Sequence, residues 1–522
     1  MTTHEEQASQ QAALQKQLWN VANNLRGNMD ASEYRNYILS LIFYRFLSER
    51  VADYANQLLA DDGISFEEAY KDDEYREGLE EEITDELGFF IEPKYLFSTM
   101  VTNIQARNFD IEQLNDAVNA VQESTINKDS EQDFQGLFED LDLNSSRLGS
   151  SVAKRTDLIA KVILALSDID FTGKDMQIDV LGDAYEYLIG QFAASAGKKA
   201  GEFYTPQQVS KILAQLVTLD RQQLKAVYDP TMGSGSLLLQ VGNYSQVGEY
   251  FGQEINGTTF NLARMNLLMH GVRYSRFDLR RGDTLEDDHF DEQTFDAVVA
   301  NPPYSMKWDP EGKLDDERFR KYGKTAPKSK ADFTFVEHML YHLNGDGTMA
   351  IVLPHGVLFR GAAEGKIRQY MIEQDNVLDA VIGLPANLFY GTSIPTVILV
   401  FKKNRTAQDI MFIDASNDFE KGKNQNQLTD EQVRKIVTTY QDRKDVDKYA
   451  HVASYQEIKE NEFNLNIPRY VDTFEAEAPI DIQTVKRELG EIDEEIAKLE
   501  NEFDSMVSEL VETDGGEGDG TK

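Results

Sequence analysis

The sequence contains no cysteine, and this absence removes several kinds of chemistry at once. Disulfides, thiolate zinc sites and cysteine nucleophiles cannot occur within this chain of 522 residues. Basic residues are also scarce, since 52 lysines and arginines stand against 91 acidic residues, for a net charge of −39. Such a surface argues against a protein that grips nucleic acid alone, because phosphate contacts need clustered positive charge. A role on nucleic acid would require a local basic patch or a partner.

Long apolar runs are missing as well. No stretch reaches the roughly 18 residues that a membrane-spanning helix needs. The N-terminus is polar and acidic and lacks the features of a signal peptide. The sequence therefore predicts a soluble, cytoplasmic protein with no membrane partner. Hydrophobic residues still make up 41% of the chain, which is enough for extensive cores.

The pattern of apolar residues predicts two folded domains before the C-terminal region. Residues 1–165 are predicted to form an all-helical domain, because their apolar residues follow helical spacing. Residues 166–475 alternate short apolar runs with amphipathic segments. That alternation predicts an α/β domain with a mostly parallel, Rossmann-like sheet and helices on both faces. The strand candidates are AVYDP, GEYFGQEI, FDAVVANPP, GTMAIVLP, LDAVIGLP and IPTVILVFKK.

Residues 476–512 carry the pattern of a coiled-coil helix. From Glu475 to Lys522 there are 16 acidic and 4 basic residues, so this helix is expected to dock on protein rather than on DNA. A helix folded back on its own domain is the alternative. Residues 513–522 are predicted to be disordered. The seam of the helix recurs at steps of three and four over about four heptads, and comprises Ile482, Val485, Leu489, Ile492, Ile496, Leu499, Phe503, Met506 and Leu510.

A glycine-rich turn follows the first predicted strand of the α/β domain. In VYDPTMGSGSLLLQ, Gly233 and Gly235 allow the backbone to approach a ligand closely, and the helix start beyond them favours a polar or anionic group. No G-K-[ST] follows these glycines at the spacing that a P-loop requires. Glu254 closes the next strand, where an acid accepts hydrogen bonds from a ribose diol, and Asp283 lies one strand later. Two acids and a glycine turn at successive strand ends suit an adenosine ligand without phosphates.

The run FDAVVANPPY ends a hydrophobic strand with an amide, two prolines and an aromatic ring. Taken alone, these residues are also compatible with a simple strand terminator, because proline cannot donate to a sheet ladder. Ligands of such sheets bind at the carboxyl ends of the strands. Residues Asn301 to Tyr304 lie at one of those ends, so they are candidates for a functional site.

Several motifs in order resemble those of a known family. GEFYTP, DPTMGSGS, the two acids and NPPY resemble the DNA amino-methyltransferases that use S-adenosylmethionine, in the gamma arrangement of N6-adenine methyltransferases. Further segments look like the modification (M) subunit of type I restriction–modification systems, and the resemblance runs from about residue 10 to residue 470. These segments are LWNVANNLRG, EYRNYILSLIFYRFLSER, LPHGVLFRG and LPANLFYGTSIPTVILVFKK. NPPY alone is shared with methyltransferases of protein glutamine and of ribosomal RNA.

The resemblance implies a catalytic loop and a site for S-adenosylmethionine. Asn301 and Pro302 would hold both amino hydrogens of adenine, through a side-chain oxygen and a backbone carbonyl. Pro303 would help to fix that backbone, and Tyr304 would stack on the flipped base. Thr231 and Met232 stand where the Ala-Cys pair is commonest in the family, at positions that act through backbone. The implied cofactor-binding residues are Phe203, Tyr204, Thr205, Pro206, Asp229, Thr231, Gly233, Ser234, Gly235, Glu254, Asp283 and Asn301.

Residues 318–330, RFRKYGKTAPKSK, reverse the acidic character of the chain with six basic residues and no acid. The segment predicts a flexible loop that closes over DNA phosphates, and a solvated surface loop is the alternative. The histidines show no metal spacing, so no metal site is predicted. The candidate DNA contacts are Arg318, Arg320, Lys321, Lys324, Lys328 and Lys330.

The sequence contains no recognisable base-reading module. The resemblance implies a separate specificity (S) subunit that reads double-stranded DNA, with two M subunits attached through the helix at 480–512. A restriction (R) subunit can join the same assembly. The predicted function is therefore site-specific N6 methylation of adenine in DNA. The alternatives are a stand-alone or other phage-defence adenine methyltransferase, a methyltransferase of protein glutamine or ribosomal RNA, and a non-catalytic assembly protein.

Overall fold

The computed structural model describes residues 14–21, 31–169, 178–196, 205–389, 392–422, 425–473 and 481–511. The chain divides into two compact units, Met1–Asp472 and Thr473–Lys522. The predicted disordered tail at 513–522 and the predicted ligand residues Phe203 and Tyr204 lie outside the described residues.

The described residues that precede the sheet form helices and loops. The longest of these helices is buried almost all round over residues 34–48, as its nearly continuous apolar run predicts. On it, the Tyr44 hydroxyl donates to the Tyr95 carbonyl oxygen across 2.6 Å. A short 3₁₀ helix covers Pro93–Tyr95. The α-helices are α1 (residues 14–21), α2 (Ala31–Leu58), α3 (Phe66–Ala69), α4 (Asp73–Leu87), α5 (Phe97–Gln105), α6 (Ile111–Glu123), α7 (Glu131–Phe134), α8 (Val152–Ser167) and α9 (Ile178–Ala196).

A nine-stranded sheet forms the centre of the larger unit, in the order β11-β8-β6-β7-β5-β4-β1-β2-β3. Neighbouring strands are parallel except where β7 and β11 pair with their neighbours. All six strand candidates form strands, and the predicted fold class is confirmed. The strands are β1 (Gln223–Asp229), β2 (Gln246–Glu254), β3 (Phe277–Arg281), β4 (Phe295–Ala300), β5 (Leu343–Pro354), β6 (Leu378–Gly383), β7 (Thr396–Lys402), β8 (Ile410–Asp414) and β11 (Ala450–Ala453). A separate two-stranded ribbon pairs β9 (Glu420–Lys421) with β10 (Asn426–Gln427).

Both faces of the sheet are covered by helices. Ala297 and Val299 of β4 join one apolar cluster, whereas Val298 and Ala300 join the other, as the alternation of strand side chains requires. The helices are α10 (Gln207–Thr218), α11 (Ser236–Gly242), α12 (Gly257–Met269), α13 (Glu317–Arg320), α14 (Asp332–His342), α15 (Ala362–Glu373), α16 (Asp430–Asp442) and α17 (Tyr455–Glu460). Short 3₁₀ helices cover Tyr274–Arg276, Lys313–Asp315, His355–Leu358 and Ile467–Arg469.

The helical region and the sheet domain meet along α12. The buried Arg264 guanidinium donates from Nη1 to the carbonyl oxygens of Gln132, Asp133 and Gln135, at 2.9–3.1 Å. Asn261 on the same helix donates to the Asp140 carboxylate across 3.1 Å. These contacts join residues about 130 positions apart, so the two regions pack as one continuous core.

The smaller unit contains one long helix, α18 (Ile482–Val511). Its predicted seam is exposed from Ile482 to Met506, with values from 40% at Val485 to 66% at Phe503. With 30 and 28 residues, α18 and α2 are the longest described helices. No helix in the described ranges is both long and apolar enough to cross a lipid bilayer.

Candidate active site

The glycine turn joins β1 to α11 and takes its shape from one buried acid. Asp229 accepts hydrogen bonds from the backbone N–H and the hydroxyl of Thr231, at 2.9 and 3.4 Å. Gly233 and Gly235 both have positive φ, of 55° and 76°. A Cβ at Gly235 would lie 2.7 Å from the side chain of Leu267, so glycine also lets α11 pack closely against α12.

Two further acids stand at the ends of the neighbouring strands. The Glu254 carboxylate accepts from the backbone N–H of Gly233 at 3.1 Å and of Asn256 at 2.8 Å. Asp283 accepts from the N–H of Leu285 at 3.0 Å. Since β1, β2 and β3 are parallel neighbours, both carboxylates and the turn lie along one edge of the sheet.

These elements surround a cavity of about 420 Å³, a size typical of small-molecule sites. Gly282 and Thr284, at the end of β3, also line it, as do Arg35 of α2 and Ile189 of α9, which sequence reasoning did not identify. The predicted residues that line it are Thr231, Gly233, Ser234, Glu254, Asp283, Asn301 and Pro303. Positive-φ glycine, two carboxylates and apolar walls fit the adenosine part of S-adenosylmethionine.

Other predicted ligand residues lie elsewhere around this site. Asp229 and Gly235 are not among the residues that line the cavity, and Asp229 is only 1% exposed. Burial raises the pKa of the Asp229 carboxyl to about 8, an effect that the Thr231 N–H opposes and the charge of Glu254 reinforces. Asp229 therefore stabilises the glycine turn through its bonds to Thr231 and does not line the cavity. Thr205 and Pro206 precede α10 and approach the site from the side of β4.

Asn301 lies at the carboxyl end of β4 with both ends of its side-chain amide engaged. The Nδ2 atom donates to the Thr205 hydroxyl across 2.9 Å, and the Oδ1 atom accepts from the Tyr304 hydroxyl across 2.8 Å. The residue is 7% exposed and also lines the cavity. The Tyr304 hydroxyl therefore occupies one of the two acceptor positions of the amide oxygen.

The Tyr304 ring faces an aromatic residue that sequence reasoning did not single out. Its centroid lies 6.0 Å from that of the buried Phe389, with the ring planes at 80°. Burial raises the pKa of the Tyr304 hydroxyl well above its ordinary value, so this group stays protonated and can donate. Phe389 belongs to LPANLFYGT, one of the segments that carried the family resemblance, but nothing in its spacing indicated a contact with Tyr304.

The backbone just after the catalytic candidates is tightly anchored. Ser305 has a positive φ of 52°, and its N–H donates to the Asp332 carboxylate across 2.7 Å. Asp332 in turn pairs with Arg360 at 2.8 Å. Together with the two prolines, these contacts hold the loop of Asn301 in one conformation.

The basic side chains of segment 318–330 are not all exposed to solvent. Arg318 is 6% exposed, and its guanidinium binds the Asp316 carboxylate at 2.6 Å and the Thr284 carbonyl oxygen at 2.8 Å. A buried and fully engaged guanidinium is unavailable to DNA phosphates, so Arg318 is removed from the candidate DNA contacts. It instead supports the chain next to Asp283. The remaining candidates, Arg320, Lys321, Lys324, Lys328 and Lys330, keep exposed or half-buried side chains.

Among the described residues, two groups of side chains bring three possible metal-ligand atoms within 4.8 Å of one another. In the group of Asp288, His338 and His342, the Arg318 guanidinium lies 3.5 Å from Asp288 and 3.1 Å from His338. The fixed positive charge of Arg318 disfavours a bound cation at this group. We therefore assign the group a structural role. The other group is Asp183, Glu186 and His270.

Comparison with known proteins gives two family matches. Residues 176–478 match the family model described as N-6 DNA Methylase, and residues 14–166 match the HsdM N-terminal domain. The methylase subunit of the type I restriction enzyme MpnII from Mycoplasma pneumoniae is 37% identical over 96% of this chain and 97% of its own length. The methylase subunit of MjaVIII from Methanocaldococcus jannaschii is 34% identical over 66% of this chain and 61% of its own.

Two solved structures are also similar to this chain. The type I restriction–modification methyltransferase subunit from Streptococcus thermophilus is 46% identical, with a TM-score of 0.83 over 88% of this chain and all of that one. A chain from a structural study of type I system assembly is 20% identical, with a TM-score of 0.62 over 97% of this chain and 99% of that one. The second likeness concerns the fold alone.

Proposed function

The chain belongs to the N-6 DNA methylase family as a type I restriction–modification methylase subunit, and we propose that S-adenosylmethionine supplies the methyl group that it transfers to adenine N6. When bound, this cofactor supplies an electrophilic methyl group on a sulfonium. Glu254 and Asp283 would bind its ribose and adenine, and the backbone of Thr231 to Ser234 would line its other side. The support is the 420 Å³ cavity that these residues share with Asn301.

We assign the reaction at adenine to the loop of Asn301. The exocyclic amino group is a weak nucleophile because its lone pair is delocalised into the ring. Acceptance of its two hydrogens by Asn301 Oδ1 and the Pro302 carbonyl would free that lone pair to attack, with the acceptors placed where positive charge develops. The observation that carries this assignment is the orientation of the Asn301 amide, whose Nδ2 is bound to Thr205 and whose Oδ1 accepts a hydroxyl hydrogen.

Thr205 therefore acts as a positioning residue for Asn301. Its hydroxyl oxygen occupies the donor end of the amide, so the acceptor end remains turned towards Tyr304. This role differs from the contact with the cofactor that the sequence suggested, since Thr205 does not line the cavity.

Tyr304 and Phe389 form the aromatic surface that would receive the flipped base. The Tyr304 hydroxyl now occupies the position at Asn301 Oδ1 that an adenine N6 hydrogen would take. Base entry would displace that hydroxyl and allow the ring to stack on adenine, as enzymes that modify a flipped base require. Arg320, Lys321, Lys324, Lys328 and Lys330 would contact phosphates nearby.

We further propose that target recognition comes from a specificity subunit. The acidic chain would dock on it through α18, whose exposed seam comprises Ile482 to Met506, and two copies would attach to one specificity subunit. A restriction subunit would complete the assembly in its restricting form. Since the substrate is cellular DNA, the complex would act in the cytoplasm.

The test is methyl transfer from labelled S-adenosylmethionine to plasmid DNA, with this chain alone and with its co-expressed specificity subunit. We expect label in N6-methyladenine only from the mixture. Equal activity from the chain alone would contradict the borrowed DNA reader. No incorporation in either case, with intact cofactor binding, would contradict the assigned reaction.

A further inference from the structure

A second cavity, which we call the amide cleft, lies beside the proposed active site and has a volume of about 530 Å³. It is formed by the first turn of α10, the end of α11, one face of α9 and the strand β10 with its neighbours. Nine of its eighteen lining residues are glutamine or asparagine, including Gln191, Gln207, Gln208, Gln240 and Asn243. None of these five residues lines the cavity of the proposed active site.

Most side-chain amides of the cleft have no hydrogen-bond partner among the described residues. Asn426 donates to the Ala386 carbonyl oxygen across 2.8 Å, and it is the only one of the nine whose side chain bonds to a described residue. Gln240 is the strongest candidate for a ligand contact, because it is only 5% exposed and lines the cleft. A buried amide is normally hydrogen-bonded, so Gln240 can offer both a donor and an acceptor to a ligand in the cleft.

The charges of the cleft indicate the chemistry of that ligand. Asp183 and Glu186 are acidic, and Lys211, the only cation among the described residues that line the cleft, pairs with Asp430 at 2.9 Å. These described residues therefore offer a phosphate no unpaired positive charge. Amide side chains carry a donor and an acceptor together, which match the edges of nucleobases.

The position of the cleft next to the proposed adenine site favours a base of DNA over other ligands that carry a nucleobase. Pro206 lines the cleft, while Thr205 just before it binds Asn301. Leu388 lines the cleft, while Phe389 just after it packs on Tyr304. On two separate segments, adjacent residues thus face the adenine site and the amide cleft.

We propose that the amide cleft binds an unstacked nucleobase next to the target adenine, through hydrogen bonds from Gln240 and its neighbours. This inference rests on the proposed function, because it takes Asn301 as the place of the adenine. The base would be held by its edge, while the backbone between the two bases passes the segment of Thr205 and Pro206. Such a contact would hold the strand while the adenine is out of the stack.

The test uses the complex of the full chain with its specificity subunit and a duplex oligonucleotide with one target site, in which photoreactive 4-thiothymidine flanks the target adenine. After irradiation, crosslinked peptides are mapped by mass spectrometry. We expect crosslinks within residues 206–211, 240–243 or 425–428. Gln240→Met, which keeps the side-chain length without the hydrogen bonds, should lower their yield roughly three- to tenfold, as expected for the loss of one or two hydrogen bonds. Gln456→Met on the exposed helix α17 is the matched control and should change nothing.

Crosslinks confined to other peptides, or an unchanged yield in Gln240→Met, would overturn the inference. Protection of the cleft by the specificity subunit without DNA, seen by hydrogen exchange, would overturn it too and assign the cleft to a protein segment. Methyl transfer is measured on the same samples. Its absence in the wild-type complex would refute the proposed function, whereas active protein with crosslinks elsewhere would refute this inference alone.

Discussion

The side-chain amide of Asn301 donates to the hydroxyl of Thr205 across 2.9 Å, and this bond joins the end of β4 to the segment that precedes α10. Thr205→Val keeps the shape of the side chain but removes the acceptor, so the amide can rotate. We expect kcat to fall roughly three- to tenfold, the usual effect of one hydrogen bond. The affinity for S-adenosylmethionine, measured by calorimetry, should not change. Thr205→Ser should restore the rate, and an equal loss in both variants would mean that the methyl group of Thr205 matters instead.

Asn301→Ala removes the acceptor proposed for the adenine amino group. We expect methyl transfer to fall by about 10²- to 10³-fold, as for the loss of other preorganised groups in active sites. Binding of S-adenosylmethionine should persist, because the Gly turn, Glu254 and Asp283 remain. Equilibrium binding and single-turnover methylation separate these effects, and lost cofactor binding would refute the role given to Asn301.

Tyr304 is proposed to act through its ring, while its hydroxyl only occupies the empty site. Tyr304→Phe should therefore retain activity, with DNA binding equal to or tighter than that of the wild type, because no hydroxyl competes for Asn301 Oδ1. Tyr304→Ala should weaken binding of the flipped base by about 1–3 kcal/mol. Fluorescence of 2-aminopurine at the target position reports base flipping in each variant. Inactive Tyr304→Phe would show that the hydroxyl takes part in the reaction.

Glu337 on α14 is fully buried, and neither carboxylate oxygen has a hydrogen-bond partner within the described structure. Burial raises its pKa well above the ordinary 4.5, with partial opposition from Lys321. The protonated form therefore belongs to the folded state, and its contribution to stability is complete below pH 4.5 and falls as pH rises towards the folded pKa. Each pH unit in that window removes about 1.4 kcal/mol.

Glu337→Gln is uncharged at every pH and should avoid that loss. We expect a higher Tm for the variant at pH 7–8 and little difference near pH 4, measured by scanning calorimetry. Glu460→Gln, on the exposed surface of α17, is the control and should show no such pH dependence. A variant that is less stable at every pH would point to an undetected partner of Glu337.

Deletion of residues 480–522 removes α18, which belongs to a compact unit of its own. We expect the remaining chain to stay folded and to bind S-adenosylmethionine, but to elute separately from the specificity subunit on size-exclusion chromatography. In the full chain, Ile496→Asp should weaken the complex because Ile496 lies in the seam, whereas Asn501→Asp, which lies outside the seam, should not. An intact complex after the deletion would exclude α18 as the docking element.

The features that sequence reasoning predicted well share a local physical cause. Glu254, Asp283 and Asn301 each end a predicted strand, and parallel neighbouring strands bring such ends to one edge. The alternation of β4 and the apolar turns of α2 likewise follow from short-range periodicity. The apolar pattern that defines each of these elements repeats within a few residues, so the sequence alone is enough to predict them.

The features that it missed depend on partners distant in the chain. Phe389 meets Tyr304 across 85 positions, and Arg318 is buried because Asp316 and the carbonyl of Thr284 receive its guanidinium. A run of basic residues in the sequence does not show which of their side chains will be buried in the folded protein. Thr205 was expected to contact the cofactor, and only the tertiary structure brings its hydroxyl to Asn301.

Helix α12 serves two regions at once, and this couples them thermodynamically. Asn256 and Thr259 at its start line the 420 Å³ cavity, and Asn261 and Arg264 hold the loop 132–140 of the helical region. Arg35 of that region reaches the same cavity. A ligand that binds best when the two regions are docked must strengthen docking by the same factor by which docking strengthens its affinity. A ligand of this cavity would therefore owe part of its affinity to the packing of the N-terminal helices.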